Sequence, residues 1–184
     1  MMFKRRLQFK TNYKRRKKAL LSRLPLVYMF KSNKNIWAQV IKPKKEGDIT
    51  VVQANSKELE KLGWKFSRKN YPAAYLVGLL LGKRAVANGI EEAIYYSGVK
   101  SFIAKSKAAA FLKGVTDAGL KVRVGEGIFP DESIIKGEQI VDYAKKLLES
   151  GYSGPQFMRV MKDIENLPEV FENIKKKIME GEIK

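Results

Sequence analysis

Nine of the fifteen residues from 4 to 18 are basic: Lys4, Arg5, Arg6, Lys10, Lys14, Arg15, Arg16, Lys17 and Lys18. A guanidinium fork can bond two phosphate oxygens at once, and an ammonium adds a compact point charge. Such a run is suited to neutralising a polyanion and releasing its counterions. Arg23 and Lys31 extend the cationic stretch. Ser32, Asn33, Lys34 and Asn35 then add amides and a hydroxyl, groups that can bond a ribose 2′-hydroxyl or base edges. Phe3, Phe9, Trp37 and Trp64 are aromatics near basic residues, Trp64 beside Lys65. Aromatics so placed can stack on bases, although core packing is their commoner use.

Covalent and metal chemistry is poorly supplied. The chain has no cysteine and no histidine, which removes disulfides, thiolate zinc sites, serine–histidine triads and most zinc hydrolases. Gly125-Glu126-Gly127 lacks the third glycine of a dinucleotide fingerprint, and no GxxxxGK[ST] loop occurs. Asp117, Glu126, Asp131 and Glu132 could in principle hold magnesium, as in a nuclease, but nothing in their spacing requires convergence. The expectation is a binding protein, not an enzyme, with no cofactor and no metal.

The distribution of charge sharpens this. Over 184 residues the net charge is +18. Residues 1–45 hold fifteen Lys/Arg and no acid; residues 47–136 hold fourteen against nine; residues 137–184 hold eight against nine. Surface lysine of the thermophile kind would explain abundant lysine and glutamate. It does not explain 45 residues without a carboxylate, so the pattern points to nucleic acid. Hydrophobic residues make up 45% of the chain, enough for a core. No apolar segment follows the basic start, and the longest apolar stretch, residues 73–82, is half of the roughly 20 residues a bilayer span needs. A soluble intracellular protein without a membrane partner is expected.

Hydrophobic periodicity supplies the elements that must position these groups. Residues 1–10 show no helical stripe and read as an extended arm. Thr11 or Asn12 can cap a short helix over 13–23, with Tyr13, Leu20, Leu21 and Leu24 at helical spacing. Lys14, Arg15 and Arg16 then sit at the positive end of the helix dipole, an arrangement that a phosphate would relieve. Runs 26–31, 36–42 and 49–54 read as a meander of three strands, with a basic hairpin tip at 32–35 and a second turn at 44–48. A short helical piece spans 57–62. A strong helix follows, with Asn70 or Tyr71 at its entry, Pro72 near its first turn, Gly89 past its end, and Leu76, Leu79, Leu80 and Val86 on its buried face. Its Gly78 and Gly82 suit close packing against a sheet. A strand at 92–96, a helix at 105–118 ended by Gly119, and a strand at 120–124 complete the domain. Helices at about 137–150, 155–166 and 168–181 form the tail. The fold class is α/β: a mixed sheet (antiparallel meander plus strand–helix–strand units) packed by helices, with a basic N-terminal arm and a helical C-terminal tail. The expected division is an arm and first helix over 1–24, an α/β nucleic-acid-binding domain over 25–136, and a helical extension over 137–184. The apolar tail positions Phe157, Met158, Met161, Ile164, Leu167, Val170, Phe171 and Ile174 suit packing on another surface, their own domain being the alternative.

Several of these segments, taken in order, carry a family resemblance. They are Tyr13-Lys-Arg-Arg, Ser32-Asn-Lys-Asn-Ile-Trp-Ala-Gln39, Gly63-Trp64-Lys, Asn70-Tyr-Pro-Ala-Ala-Tyr-Leu-Val-Gly78 and Gly82-Lys-Arg-Ala85. Phe111-Leu-Lys-Gly-Val-Thr-Asp-Ala-Gly-Leu120, Phe129-Pro, Lys136-Gly-Glu-Gln-Ile140 and Leu167-Pro-Glu-Val-Phe171 continue the match. Together they resemble archaeal-type large-subunit ribosomal protein eighteen, whose eukaryotic counterpart is large-subunit ribosomal protein five. The sequence departs from the family at Asn35, where histidine is common, and over 98–106. The resemblance implies a structural constituent of the cytoplasmic large ribosomal subunit that binds 5S ribosomal RNA. It also implies a seat at the central protuberance, beside large-subunit ribosomal RNA and neighbouring proteins including ribosomal protein five. On that resemblance Lys4, Arg5, Arg6, Lys14 to Lys18, Lys31, Asn33, Lys34 and Asn35 face RNA. Lys10, Arg23, Ser32 and Trp37 join them from the residue reading.

Overall fold

The computed structural model describes residues 3–44, 46–151 and 163–181. Lys45 and the expected tail positions Phe157, Met158 and Met161 lie outside the described residues, as does most of the helix expected over 155–166.

The meander forms as its alternation dictates. Strands β1 (Leu26–Lys31), β2 (Ile36–Lys42) and β3 (Ile49–Asn55) pair antiparallel in sequence order. β4 (Glu92–Tyr95) then adds parallel to β1, and β5 (Lys121–Val122) parallel to β4, giving the order β3-β2-β1-β4-β5. Ile36, Ala38 and Val40 of β2 point inward and are fully buried, while Trp37 between them is about half exposed. A period of two on a sheet with one covered face produces that result.

The covered face carries two helices, α3 (Tyr71–Ala87) and α4 (Lys107–Asp117). Asn70 caps α3 by accepting from Ala73 N at 2.9 Å, and Pro72 occupies its first turn. Every residue from Pro72 to Gly82 is buried, as befits a helix apolar on all sides. Gly78 and Gly82 face α4, not the sheet as their spacing suggested. A Cβ on Gly78 would lie 2.1 Å from Phe111 O, and one on Gly114 would lie 2.1 Å from Tyr75 O. Two helix backbones therefore meet where neither has a side chain. Val86, expected on the buried face, is 43% exposed, because it lies in the last turn of α3, level with Gly119 beyond the end of α4.

The tail completes the same core. After α5 (Glu132–Lys136) and α6 (Glu138–Glu149) comes α7 (Leu167–Glu180), which lies against α3. Leu167, Phe171, Ile174 and Ile178 fall on one stripe of α7, and each is at most 2% exposed. Ile164, just before α7, is buried as well, and Val170 is partly buried against the same cluster. One hydrophobic cluster thus runs from Val27 to Ile178. For these residues the surface covered is that of their own protein. Among the described residues, no helix is long and apolar enough to cross a membrane.

Candidate nucleic-acid interface

The arm is not extended throughout. Phe3 O accepts from Arg6 N at 2.9 Å and Leu7 N at 3.3 Å, closing a single helical turn, α1 (Lys4–Leu7). A turn this short needs no buried stripe, only local hydrogen bonds, so periodicity gave no sign of it. Residues 3–10 are all exposed, which places Lys4, Arg5, Arg6 and Lys10 in solvent. Phe9 adopts a left-handed φ of 52° and turns the chain back toward the next helix. Arg5 Nε donates to Thr11 Oγ1 at 3.0 Å, and the rings of Phe3 and Tyr13 lie 4.9 Å apart.

The next helix, α2 (Tyr13–Leu21), is capped by Asn12, whose side chain accepts from Arg15 N at 3.1 Å. It buries none of its nine residues. Two arginines hold it instead. Arg15 donates to Val99 O at 3.2 Å, Lys100 O at 2.7 Å and Ser101 Oγ at 3.2 Å. Arg16 pairs with Asp48 at 2.5 Å, and the hydrogen bond to that carboxylate raises the Arg16 pKa against the opposing pull of burial. The basic run therefore divides by role. Arg15 and Arg16 spend their donors within the protein, while Lys14, Lys17 and Lys18 are exposed. Arg23, just past α2 with φ 58°, is exposed too.

At the hairpin tip Ser32 is committed internally: its hydroxyl donates to Asn35 O at 2.8 Å and accepts from Asn35 N at 2.9 Å. Asn33 and Lys34 project into solvent, as does Lys31. Asn35 is half-buried, and its Oδ1 is buried with no hydrogen-bond partner among the described residues. Trp37 pairs across strands with Phe30, and the two rings are 46% and 48% exposed on the open face of the sheet. Trp64, by contrast, is a core residue whose Nε1 donates to Ser67 O at 3.2 Å. Phe3 and Phe9 stand exposed on the arm.

Between the arm, β1 and the segment after β4 opens a cleft of about 960 Å³. Tyr13, Tyr28 and Tyr96 line it, with Lys31, Lys100 and Lys107 among its cations. Seven Lys/Arg against two acids, Glu46 and Asp48, make its potential strongly positive. Tyr28 and Tyr96 approach to 6.3 Å between ring centroids. Burial pushes the Tyr95 phenol up to about 12, with a smaller push from Tyr28. A basic trough with aromatic walls suits a nucleic-acid strand, whose phosphates meet the ammonium groups while bases meet the rings. Neither the charge run nor any motif singles out Tyr28, Phe30, Tyr96, Lys100 or Lys107. For Tyr28 and Phe30 the signal existed, since they alternate with Val27 and Met29 along β1. Lys83 and Arg84 are both half-buried, and Arg84 is occupied by Gln53 O and the Glu58 carboxylate. Of the acids weighed for magnesium, Asp117 accepts from the Tyr75 hydroxyl at 2.8 Å and pairs with Lys113 at 2.9 Å. Among the described residues no three carboxylates gather into a metal-ligating group.

Comparison with known proteins gives a consistent result. Residues 1–107 match the family described as ribosomal large subunit proteins 60S L5 and 50S L18. The large ribosomal subunit protein uL18 of Thermofilum pendens is 39% identical over 185 positions, covering 97% of this chain and 93% of that protein. Its namesake from Methanothermobacter thermautotrophicus is 41% identical over 186 positions, covering 98% and 95%.

Proposed function

We propose, from the premise that this chain belongs to the ribosomal large subunit protein family of L5 and L18, that it binds 5S ribosomal RNA and helps attach it to the large subunit at the central protuberance. Membership makes it a structural constituent of the large subunit, not an enzyme, with ribosomal RNA and ribosomal proteins as its surroundings. The choice of 5S RNA and of ribosomal protein five as a neighbour is the finer step. One observation carries the RNA-gripping part: the arm and α2 stand without a buried residue beside a basic, tyrosine-walled cleft. A helix that its own core does not hold gains its packing from a partner. Lys4, Arg5, Arg6, Lys10, Lys14, Lys17, Lys18 and Arg23 would neutralise phosphates. Lys31, Asn33, Lys34 and Asn35 would read backbone and 2′-hydroxyls, and Trp37 with Phe30 would offer a stacking surface. Ser32 would act indirectly, by shaping the tip. On this reading residues 1–24 and 25–136 hold RNA, and the described residues of the 137–184 extension brace the domain that does so.

Competition between 5S RNA, an unrelated structured RNA and duplex DNA at physiological salt tests the proposal. The expected order puts 5S RNA first, and affinity for it falls roughly tenfold or more between 50 and 200 mM salt. Equal affinity for duplex DNA would reduce the protein to a general polyanion binder, and a flat salt response would remove phosphate neutralisation.

The split within the basic run gives a second expectation. Changing Lys14, Lys17 and Lys18 together to alanine should lower RNA affinity and reduce the salt slope by about 2–3, leaving the melting temperature unchanged. Changing Arg15 and Arg16 to alanine should instead release α2, visible as faster amide exchange over residues 13–21 in the free protein. If the lysine variant binds like wild type, the exposed side of α2 does not touch RNA.

A further inference from the structure

We infer that Lys31, Lys69 and Lys107 form a subsite for a single phosphodiester of a bound RNA strand, distinct from the cations of the arm; this rests on the RNA-binding reading above. The three residues are far apart in sequence and converge through the fold. Lys31 closes β1, Lys69 stands two residues before α3, and Lys107 opens α4. The close approaches of Gly78 to Phe111 and of Gly82 to Val115 and Ala118 advance together along both helices. α3 and α4 therefore run in the same direction and begin at the same end of the domain. There the Lys107 ammonium lies 5.7 Å from the centroid of the Tyr71 ring, and Lys31, Tyr71 and Lys107 all line the cleft.

Nothing among the described residues neutralises this group. None of the three lysines belongs to an ion pair there, whereas Lys113, Arg84 and Arg16 each have a carboxylate. The first turns of both helices hold no acid. Burial, then repulsion from Lys31 and Lys69, holds the Lys107 ammonium below the usual lysine pKa. Gathering like charges around a half-buried ammonium costs the free protein stability. A phosphodiester reverses the sign of that cost: it carries one negative charge and two unbridged oxygens, which three ammonium groups can share. The chemistry is that of a backbone phosphate, with no base to read.

The test is the salt slope of 5S RNA binding by the full chain. If the cluster holds one phosphate, K31Q/K69Q/K107Q lowers the slope by about 1, so the affinity lost between 50 and 200 mM salt shrinks roughly threefold to fourfold. The charge-matched control K121Q/K145Q/K146Q, at three exposed lysines elsewhere, leaves the slope unchanged, and K31R/K69R/K107R retains it. No change in the glutamine triple, a change equal to the control's, or a fall near 3 from three independent contacts each overturns the subsite. Should the triple fail to fold, K31Q/K69Q at two exposed positions decides, because a slope equal to wild type overturns the proposal. Repeating the titration with an unrelated structured RNA separates the two readings. Equal wild-type affinity for both RNAs removes the 5S assignment and leaves the slope comparison to judge the subsite; no RNA binding at all overturns both.

Discussion

Replacing Phe171 with alanine is expected to destabilise the protein by about 3–5 kcal/mol. The side chain is 1% exposed and sits with its ring 5.5 Å from that of Tyr75, on the helix α3 that organises the whole core. Truncation removes the apolar surface and leaves a cavity between two helices whose backbones are held elsewhere, so the site cannot collapse freely. For a chain of this length each kcal/mol moves the melting temperature by about 2–4 °C, giving an expected fall of roughly 6–20 °C. Thermal unfolding followed by circular dichroism measures it, with the exposed Glu180→Ala as a control near zero. A Phe171→Ala variant that melts within about 3 °C of wild type would mean that α7 is not docked as described. The same reasoning bears on removal of residues 163–184. That deletion strips Leu167, Phe171, Ile174 and Ile178 from the core, so any loss of RNA affinity it causes must first be separated from unfolding.

Gly114→Ala is expected to be as damaging by the opposite route. The added methyl would lie 2.1 Å from Tyr75 O and 2.9 Å from Leu79 N. Both obstacles are backbone atoms in the middle of a 17-residue helix, so no side-chain rotation makes room and the crossing itself has to open. Overpacking commonly costs 1–3 kcal/mol, and a backbone-limited clash belongs at or above the top of that range, about 3 kcal/mol or more. Opening the crossing also shifts the paired starts of α3 and α4 and the lysines there. Gly127→Ala provides the comparison: its φ of 67° imposes strain of about 1–2 kcal/mol, but open space surrounds the new methyl. Denaturant melts should therefore rank wild type above Gly127→Ala, and Gly127→Ala above Gly114→Ala. Reversal of the last two would show that the helices are further apart than their backbones indicate.

Much of this protein could be read locally. Alternation in β1 to β3, the Asn70 cap and Pro72 of α3, and the glycine beyond α4 are short-range signals, and the structure places each element within a few residues of its expected bounds. The concentration of cations in residues 1–45 is likewise a property of the sequence, as is the absence of histidine and cysteine. What periodicity cannot carry is the identity of the partner. The small face of α3 was visible as Gly78 and Gly82, but only the fold decided that α4 covers it, because a helix stripe records that something close will pack and not what. The same holds for Leu167, Phe171, Ile174 and Ile178, whose spacing fits any apolar surface and whose actual surface is α3. Charge is subject to a similar limit. Arg15 and Arg16 are indistinguishable in sequence from Lys14 and Lys17 as phosphate ligands, yet their partners, Lys100 O and Asp48, lie 85 and 32 residues away. Long-range pairing decided which of these cations already have a partner within the protein. It also brought Lys31, Lys69 and Lys107 to one end of the domain, since the parallel course of α3 and α4 is fixed by their glycine crossing and not by any residue within the cluster.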